Sequence, residues 1–244
     1  MGEVVNVIKA AGEVEPFSEE KVTSSLLRVG AERKLASEIV AQIKPRLYQN
    51  IPTFEIYSKV MSLLRERKKD LAEKYNLKKA IMDLGPTGYP FEKFIAGILK
   101  EVGHKVETNK IVLGKCVAHE VDIIAQNKER YMIECKFHSI PGGRTDIKVA
   151  LYTYARFLDI IERTKFDMPW LITNTKVTQE VKTYASCVGM RVTAWDYPVG
   201  ESLNEMIDES GLYPTTAITS LSEKRKRELL EKGIVFSRDF VCSK

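Results

Sequence analysis

The stretch His119-Glu120-Val121-Asp122-Ile123-Ile124-Ala125-Gln126-Asn127-Lys128-Glu129-Arg130-Tyr131-Met132-Ile133-Glu134-Cys135-Lys136-Phe137 decides the fold of the chain. Two apolar runs, at 121–125 and 131–137, flank a short polar linker from Gln126 to Arg130, the pattern of a β-hairpin. Side chains alternate faces along a strand, so Glu134 and Lys136 share one face, while Ile133, Cys135 and Phe137 take the other. Antiparallel pairing then sets Asp122 near Glu134. Two adjacent carboxylates repel unless a cation holds them, and a charge that interrupts an apolar strand either lines a cleft or costs stability. Oxygen ligands with room for water suit magnesium, with manganese as the substitute. Such an ion would activate water and offset charge developing on a phosphate. Lys136 would orient or help deprotonate that water, or stabilise the pentacovalent phosphate; spacing alone leaves these open. Asp followed by Glu-x-Lys also arises by chance as a solvated strand pair. The apolar context of both strands weighs here toward a site.

Outward from the hairpin, strands and helices alternate. An amphipathic helix is expected at 91–102, strands near 106–112, 170–173 and 191–195, a long helix at 146–163 and another at 178–188. Ile147, Ala150, Leu151, Tyr154, Leu158 and Ile161 fall on one face of the long helix at helical spacing. Pro141-Gly142-Gly143-Arg144 is expected as a flexible loop, either touching a nucleic-acid backbone or simply leading to a helix capped near Thr145. This order implies an α/β fold, a mixed sheet flanked by helices.

Upstream the pattern is helical. A strand candidate at 4–9 and a turn at Gly12 precede one helix ending near Gly30 and a second carrying Leu35, Ile39, Val40 and Ile43, closed by Pro45. Thr53 is placed to cap a third, with Ile56, Val60, Leu63 and Leu64 inward and the basic run at 65–69 as its solvated end. A fourth stripe, Leu77, Ala80, Ile81 and Leu84, stops at Gly85-Pro86-Thr87-Gly88-Tyr89-Pro90, a helix-breaking linker. Expected segments are therefore a mainly α-helical domain at 1–84, a linker at 85–90, the α/β domain at 91–200 and a basic helical extension at 201–244. In that extension Ser222 would cap a helix stopped by Gly233, packing on the α/β domain or touching nucleic acid.

Composition narrows the function classes. The formal net charge of +5 is compatible with a polyanionic partner without demonstrating one. No apolar run approaches the roughly 18 residues of a membrane span, and the N-terminus is charged too early for a secretory signal. Cys116, Cys135, Cys187 and Cys242 include no CxxC pair, which argues against a zinc ribbon or disulfide framework and for a cytoplasmic setting.

From Pro90 to about Trp195 the chain resembles the restriction-endonuclease-like, PD-(D/E)xK, superfamily, particularly Mrr-type nucleases. The matching pieces are Phe91-Glu92-Lys93-Phe94, Val102-Gly103-His104-Lys105-Val106, His119-Glu120-Val121-Asp122-Ile123-Ile124 and Glu134-Cys135-Lys136. The resemblance implies a magnesium- or manganese-dependent endonuclease acting on DNA. Asp122 and Glu134 would be metal ligands, the Cys135 carbonyl a third, Lys136 the catalytic lysine, and Glu92 the first-helix acid that completes the site. Mrr relatives often carry Gln where Glu134 stands, while Glu is the commoner residue of the superfamily. Such enzymes cut both strands with two active sites, which implies a homodimer. His119 would contact phosphate or sit at a polar strand edge, the second reading being preferred.

Val7-Ile8-Lys9-Ala10-Ala11-Gly12-Glu13-Val14-Glu15-Pro16-Phe17-Ser18-Glu19-Glu20-Lys21-Val22, with Ile51-Pro52-Thr53-Phe54-Glu55-Ile56, resembles an ATP-cone domain running to about Leu84. That family binds ATP or dATP as a regulator. By position, Lys9 and Lys21 would meet phosphates, with Glu15 and Thr53 near the nucleoside. Ala10 and Ala11 depart from the Arg-Asp type pair often found there, which weakens the ligand inference more than the fold. Three readings follow: a nucleotide-controlled endonuclease; a nucleotide-responsive DNA-binding protein without cleavage; and a ribonucleotide-reductase regulator, disfavoured by the missing zinc-ribbon cysteines.

Overall fold

The computed structural model of the protein describes residues 4–9 and 12–241, so Ala10, Ala11 and Cys242 lie outside the described residues. The chain forms two units, one ending at Lys79 and the other beginning at Ala80.

In the first unit β1 (Asn6–Ile8) pairs antiparallel with β2 (Val14–Pro16), and β3 (Ile51–Pro52) adds to β1 in parallel. Around this sheet run α1 (Glu19–Arg28), α2 (Arg33–Ile43), α3 (Thr53–Arg67) and α4 (Lys69–Tyr75). The Ser18 hydroxyl accepts from the Lys21 amide at 3.2 Å and starts α1, whose first turn carries Glu19 and Glu20 at the positive end of the helix dipole. Leu26, Ile39, Ile43, Ile51, Val60 and Leu64 are buried together as the core. Two local expectations are corrected. Thr53 does not cap α3: Pro52 is the N-cap residue, and no side-chain cap bond forms. The basic run at 65–69 is broken at Lys68, which turns extended (φ −148°) and starts α4, burying Leu71 and Ala72.

The division between units falls inside α5 (Leu77–Met82). The second unit continues with α6 (Tyr89–Glu101), whose first turn holds Pro90, where the missing amide is harmless. Then come β4 (Lys105–Leu113), β5 (Ala118–Gln126), β6 (Arg130–Lys136), β7 (Arg144–Thr145), α7 (Ile147–Ile161), β8 (Met168–Thr173), β9 (Lys176–Val177), α8 (Gln179–Val188) and β10 (Arg191–Thr193). Among the described residues the main sheet has the order β10-β8-β6-β5-β4, with β6, β8 and β10 parallel and β4, β5 and β6 antiparallel. This is the mixed sheet expected from the hairpin. On one face Phe91 of α6 meets Phe137 at a ring distance of 5.6 Å. On the other, Phe157 and Ile160 of α7 pack with Ile124 and Met132. The Pro141–Arg144 loop ends in a strand, since β7 pairs with β9. Asp146, one residue beyond Thr145, caps α7 by accepting from the Lys148 amide at 3.0 Å.

The packed face of α7 differs from the expected stripe. Ala150, Thr153, Arg156, Phe157 and Ile160 are buried, while Leu151, Leu158 and Ile161 are exposed. The helix is turned so that a polar and a cationic side chain enter the interior.

The last segment forms α9 (Leu203–Ser210), α10 (Glu223–Glu231) and α11 (Ser237–Val241). Ser222 caps α10 by accepting from the Arg225 amide, and Gly233 follows with φ 74°. This segment packs back on α6: the Phe236 ring lies 5.4 Å from that of Phe94, and Lys93 Nζ donates to the Gly233 carbonyl at 2.8 Å. A Cβ at Gly97 would come within 2.1 Å of the Phe236 ring, so the close approach needs glycine.

Candidate active site

Strands β5 and β6 pair from Gln126↔Arg130 back to Ile123↔Ile133, and one step further lie Asp122 and Glu134, where the ladder ends. The ladder of β4 with β5 is interrupted at the same level: Thr108↔Ile123 and Lys110↔Val121 are paired, and Asn109 between them has φ 51°. Asp122 therefore stands where its strand parts from a neighbour on each side. Its Oδ2 accepts from the Cys135 amide at 2.8 Å, so the carboxylate takes a donor that the parted ladder leaves over.

Glu92 reaches the same place from the first turn of α6, and Asn109 Nδ2 donates to its Oε2 at 3.3 Å. From the opposite face Arg156 enters on α7. Its Nη1 donates to Glu134 Oε2 and its Nη2 to the Glu120 carbonyl, and its guanidinium lies 5.1 Å from the Tyr152 ring centre. Glu134 and Lys136 follow each other on one face of β6, both half-buried, and Lys136 is in register with Thr173 of β8.

The electrostatics make one group of these carboxylates. Burial pushes the Glu134 carboxyl up to about 7, Asp122 adds to the shift, and Arg156 opposes it without cancelling it. Glu92 is raised by burial and then by the charge of Asp122. Asp122 is raised by burial, against the pull of the Cys135 amide and Arg156. The Cys135 thiol is buried and pushed well up by desolvation. The structure thus brings Glu92, Asp122 and Glu134 into one electrostatic group, with Lys136 beside Glu134.

Among the described residues no group of three or more His, Cys, Asp or Glu side chains is set to hold a metal ion. Magnesium asks for less: one or two carboxylates, completed by phosphate and water. Asp122 and Glu134, oxygen donors at the parting of two strands, both raised by burial and Glu134 also by the charge of Asp122, fit that requirement in chemistry.

His119 faces elsewhere. Its Nε2 lies 2.8 Å from Asp159 Oδ2 on α7, and Asp159 also accepts from the amides of Cys116 and Val117. These bonds hold the Asp159 carboxyl far below its ordinary range, His119 contributing most, and they fasten the turn between β4 and β5. Two residues of the site escaped the sequence reading. Arg156 carried a signal, a cation spaced with Thr153 and Ile160 on a helix whose packed face was assigned elsewhere. Asn109 carried none beyond its place in a polar edge strand.

In the first unit Glu15 on β2 lies 2.7 Å from Lys9 and 2.8 Å from Lys21, and Lys9 also reaches Glu13 at 3.3 Å. Thr53 begins α3 one register step beyond the Ile8↔Pro52 pair, beside the end of β1. A separate groove of about 470 Å³ is lined by Gln42, Arg46, Glu55, Lys59 and neighbouring residues, with none of Lys9, Glu15, Lys21 or Thr53 among them.

Comparison with known proteins places both units. Residues 5–82 match the ATP cone domain, and residues 86–207 match the Mrr catalytic domain, described as a restriction endonuclease. The chain belongs to the Mrr-type restriction endonuclease family. It joins that nuclease fold to an ATP cone. An uncharacterised protein of Archaeoglobus fulgidus is 48% identical over 150 residues, which is 61% of this chain and 84% of the relative. A crystal structure of a protein of unknown function is similar at 45% identity with a TM-score of 0.57, covering 64% of this chain and 84% of the other. Among the described residues no helix is long and apolar enough to cross a membrane.

Proposed function

We propose that the protein is a magnesium- or manganese-dependent endonuclease that hydrolyses DNA phosphodiester bonds under the control of ATP or dATP. The observation that carries this reading is the meeting of Asp122 and Glu134 where β5 parts from β6, with Glu92 and Lys136 beside them. Asp122 and Glu134 hold the divalent ion, with the Cys135 carbonyl as a further oxygen. When bound, that ion supplies a Lewis acid that offsets charge on the scissile phosphate. Lys136 sets its ammonium against the phosphate oxygens and stabilises the charge they gain in the transition state. Glu92, held by Asn109, completes the carboxylate set from α6.

In the cone, Lys9 and Lys21 exchange Glu15 for the phosphates of the nucleotide, and Glu15 and Thr53 turn to the nucleoside. A homodimer supplies the two sites needed to cut both strands, and the free thiols of Cys116, Cys135 and Cys187 suit a reducing cytoplasm. Incubating the purified protein with plasmid DNA and magnesium or manganese, with and without ATP, tests the reading. Cleavage is expected with metal, and its rate is expected to respond to ATP. Cleavage that survives in both Asp122→Ala and Lys136→Ala overturns the site, and a protein that cuts no DNA with either metal overturns the activity.

A further inference from the structure

Arg156 occupies the site in a way the catalytic reading does not use. It is 7% exposed, on the packed face of α7 between Thr153 and Ile160. A guanidinium is costly to bury unless its donors are paired. Here Nη1 is given to Glu134 and Nη2 to the Glu120 carbonyl, while Nε has no partner. Glu120 belongs to β5, two residues before Asp122, and Glu134 to β6. One cation therefore spans the gap at which the two strands part, and it holds a carboxylate that the metal reading needs.

We propose that Arg156 is a resident cation that competes with the divalent ion for Glu134, keeping the carboxylate set compensated in the metal-free protein and yielding Glu134 when the metal enters. This rests on the metal reading given above. Two features support an exchange rather than a permanent brace. The fork is incompletely satisfied, so release forfeits fewer bonds than a full set would. Tyr152, exposed, already holds its ring 5.1 Å from the guanidinium, so the cation keeps this cation–π partner when Glu134 is taken. Arg156 is thus a positioning residue: it acts through Glu134.

The test needs no DNA. Manganese is titrated calorimetrically into wild type, Arg156→Gln, Arg156→Lys and Glu134→Gln, and the thermal midpoint of each is taken in chelator and in manganese. Arg156→Gln is expected to melt lower in chelator, to bind manganese roughly tenfold more tightly, the weight of a modest charge-pair coupling, and to gain more from the metal than wild type. Arg156→Lys, which keeps the charge and loses the fork, falls between. Adding Arg156→Gln to Glu134→Gln is expected to leave manganese affinity where Glu134→Gln alone sets it. Equal or weaker manganese binding by Arg156→Gln overturns the inference. Should that variant fail to fold in chelator, Arg156→Lys decides the matter by the same comparison. If wild type and every variant ignore manganese, the metal reading itself falls and takes this inference with it.

Discussion

The two charge clusters of the chain are built in opposite senses. In the ATP cone one carboxylate, Glu15, lies between two lysines, and Lys21 first and Lys9 next pull its pKa down. In the nuclease unit Glu92, Asp122 and Glu134 are all pushed up, by burial first, and one arginine, Arg156, opposes the shift at Asp122 and Glu134. The first cluster lies in water with its charges matched, Lys9 and Lys21 against Glu13 and Glu15, and Lys21 is 65% exposed. The second is half-buried with carboxylate to spare. Exposed lysines at a strand–helix entry suit a polyphosphate that displaces their carboxylates; a buried carboxylate surplus suits a divalent cation. The difference also sets how each responds to change. Removing one member of a buried group leaves the others uncompensated, whereas an exposed group re-solvates at little cost.

The largest effect belongs at Lys136. Lys136→Ala is expected to lower plasmid cleavage by ~10²–10⁴-fold, the range for one positioned proton-transfer or charge-stabilising group. Manganese affinity should hardly change, because no ligand is removed. Single-turnover cleavage beside a manganese titration separates the two. A variant that keeps its rate, or that loses metal instead, breaks the assignment.

Glu134 makes the contrast measurable without a substrate. Its carboxyl stands at about 7 in the fold against an ordinary value of 4.5. Between those values the folded chain keeps a proton that the unfolded chain has lost, so metal-free stability falls as pH rises from 4.5 toward 7 and levels off above. The span corresponds to on the order of 2–3 kcal/mol. Denaturant unfolding in chelator across that range should show the slope, and Glu134→Gln should reduce it to the part that Glu92 and Asp122, also raised, contribute. A slope undiminished in the variant assigns the proton to another group. In the cone the sign reverses: Glu15 is depressed, so its contribution is present above 4.5 and is lost as pH falls through its lowered value.

How far these clusters were legible follows from what each residue depends on. The hairpin was legible because strand period is local: Glu134 and Lys136 share a face whatever surrounds them. The face of α7 was not, because the apolar stripe Leu151, Leu158 and Ile161 is the exposed one. Burial there follows the pairing of Arg156 with Glu134, a contact 22 residues apart. Pro52 takes the cap position that Thr53 was expected to hold because the chain enters α3 directly from β3. Asn109 was out of reach for a similar reason. Its left-handed backbone answers an interruption between two strands, not a feature of its own segment.

Asn109 gives the third test. Asn109→Ala loses the bond to Glu92 and also the short polar side chain that lets asparagine tolerate a left-handed conformation, at a cost of up to roughly 1–2 kcal/mol. Asn109→Gly loses the bond alone. If the side chain matters through Glu92, both variants should cut more slowly, by about tenfold, the loss of a hydrogen bond to a charged group. If the backbone alone matters, Asn109→Gly keeps its rate and only Asn109→Ala is impaired.

The smallest effect is expected in the cone, and its form matters more than its size. Lys9→Ala should weaken ATP binding by about three- to tenfold in low salt, because Lys21 remains to meet the phosphates. Both lysines are exposed, so the difference from wild type should shrink as ionic strength rises and the Debye length falls from about 10 Å toward 3 Å. The Arg156–Glu134 pair, with side chains 8% and 17% exposed, should show no such narrowing when its variants are melted across the same salt series. Calorimetric titration of ATP at several salt concentrations decides it. Unchanged binding in Lys9→Ala removes the phosphate role. A defect that stays constant with salt would mean that the bound nucleotide encloses Lys9, and the cone would then resemble the nuclease cleft rather than oppose it.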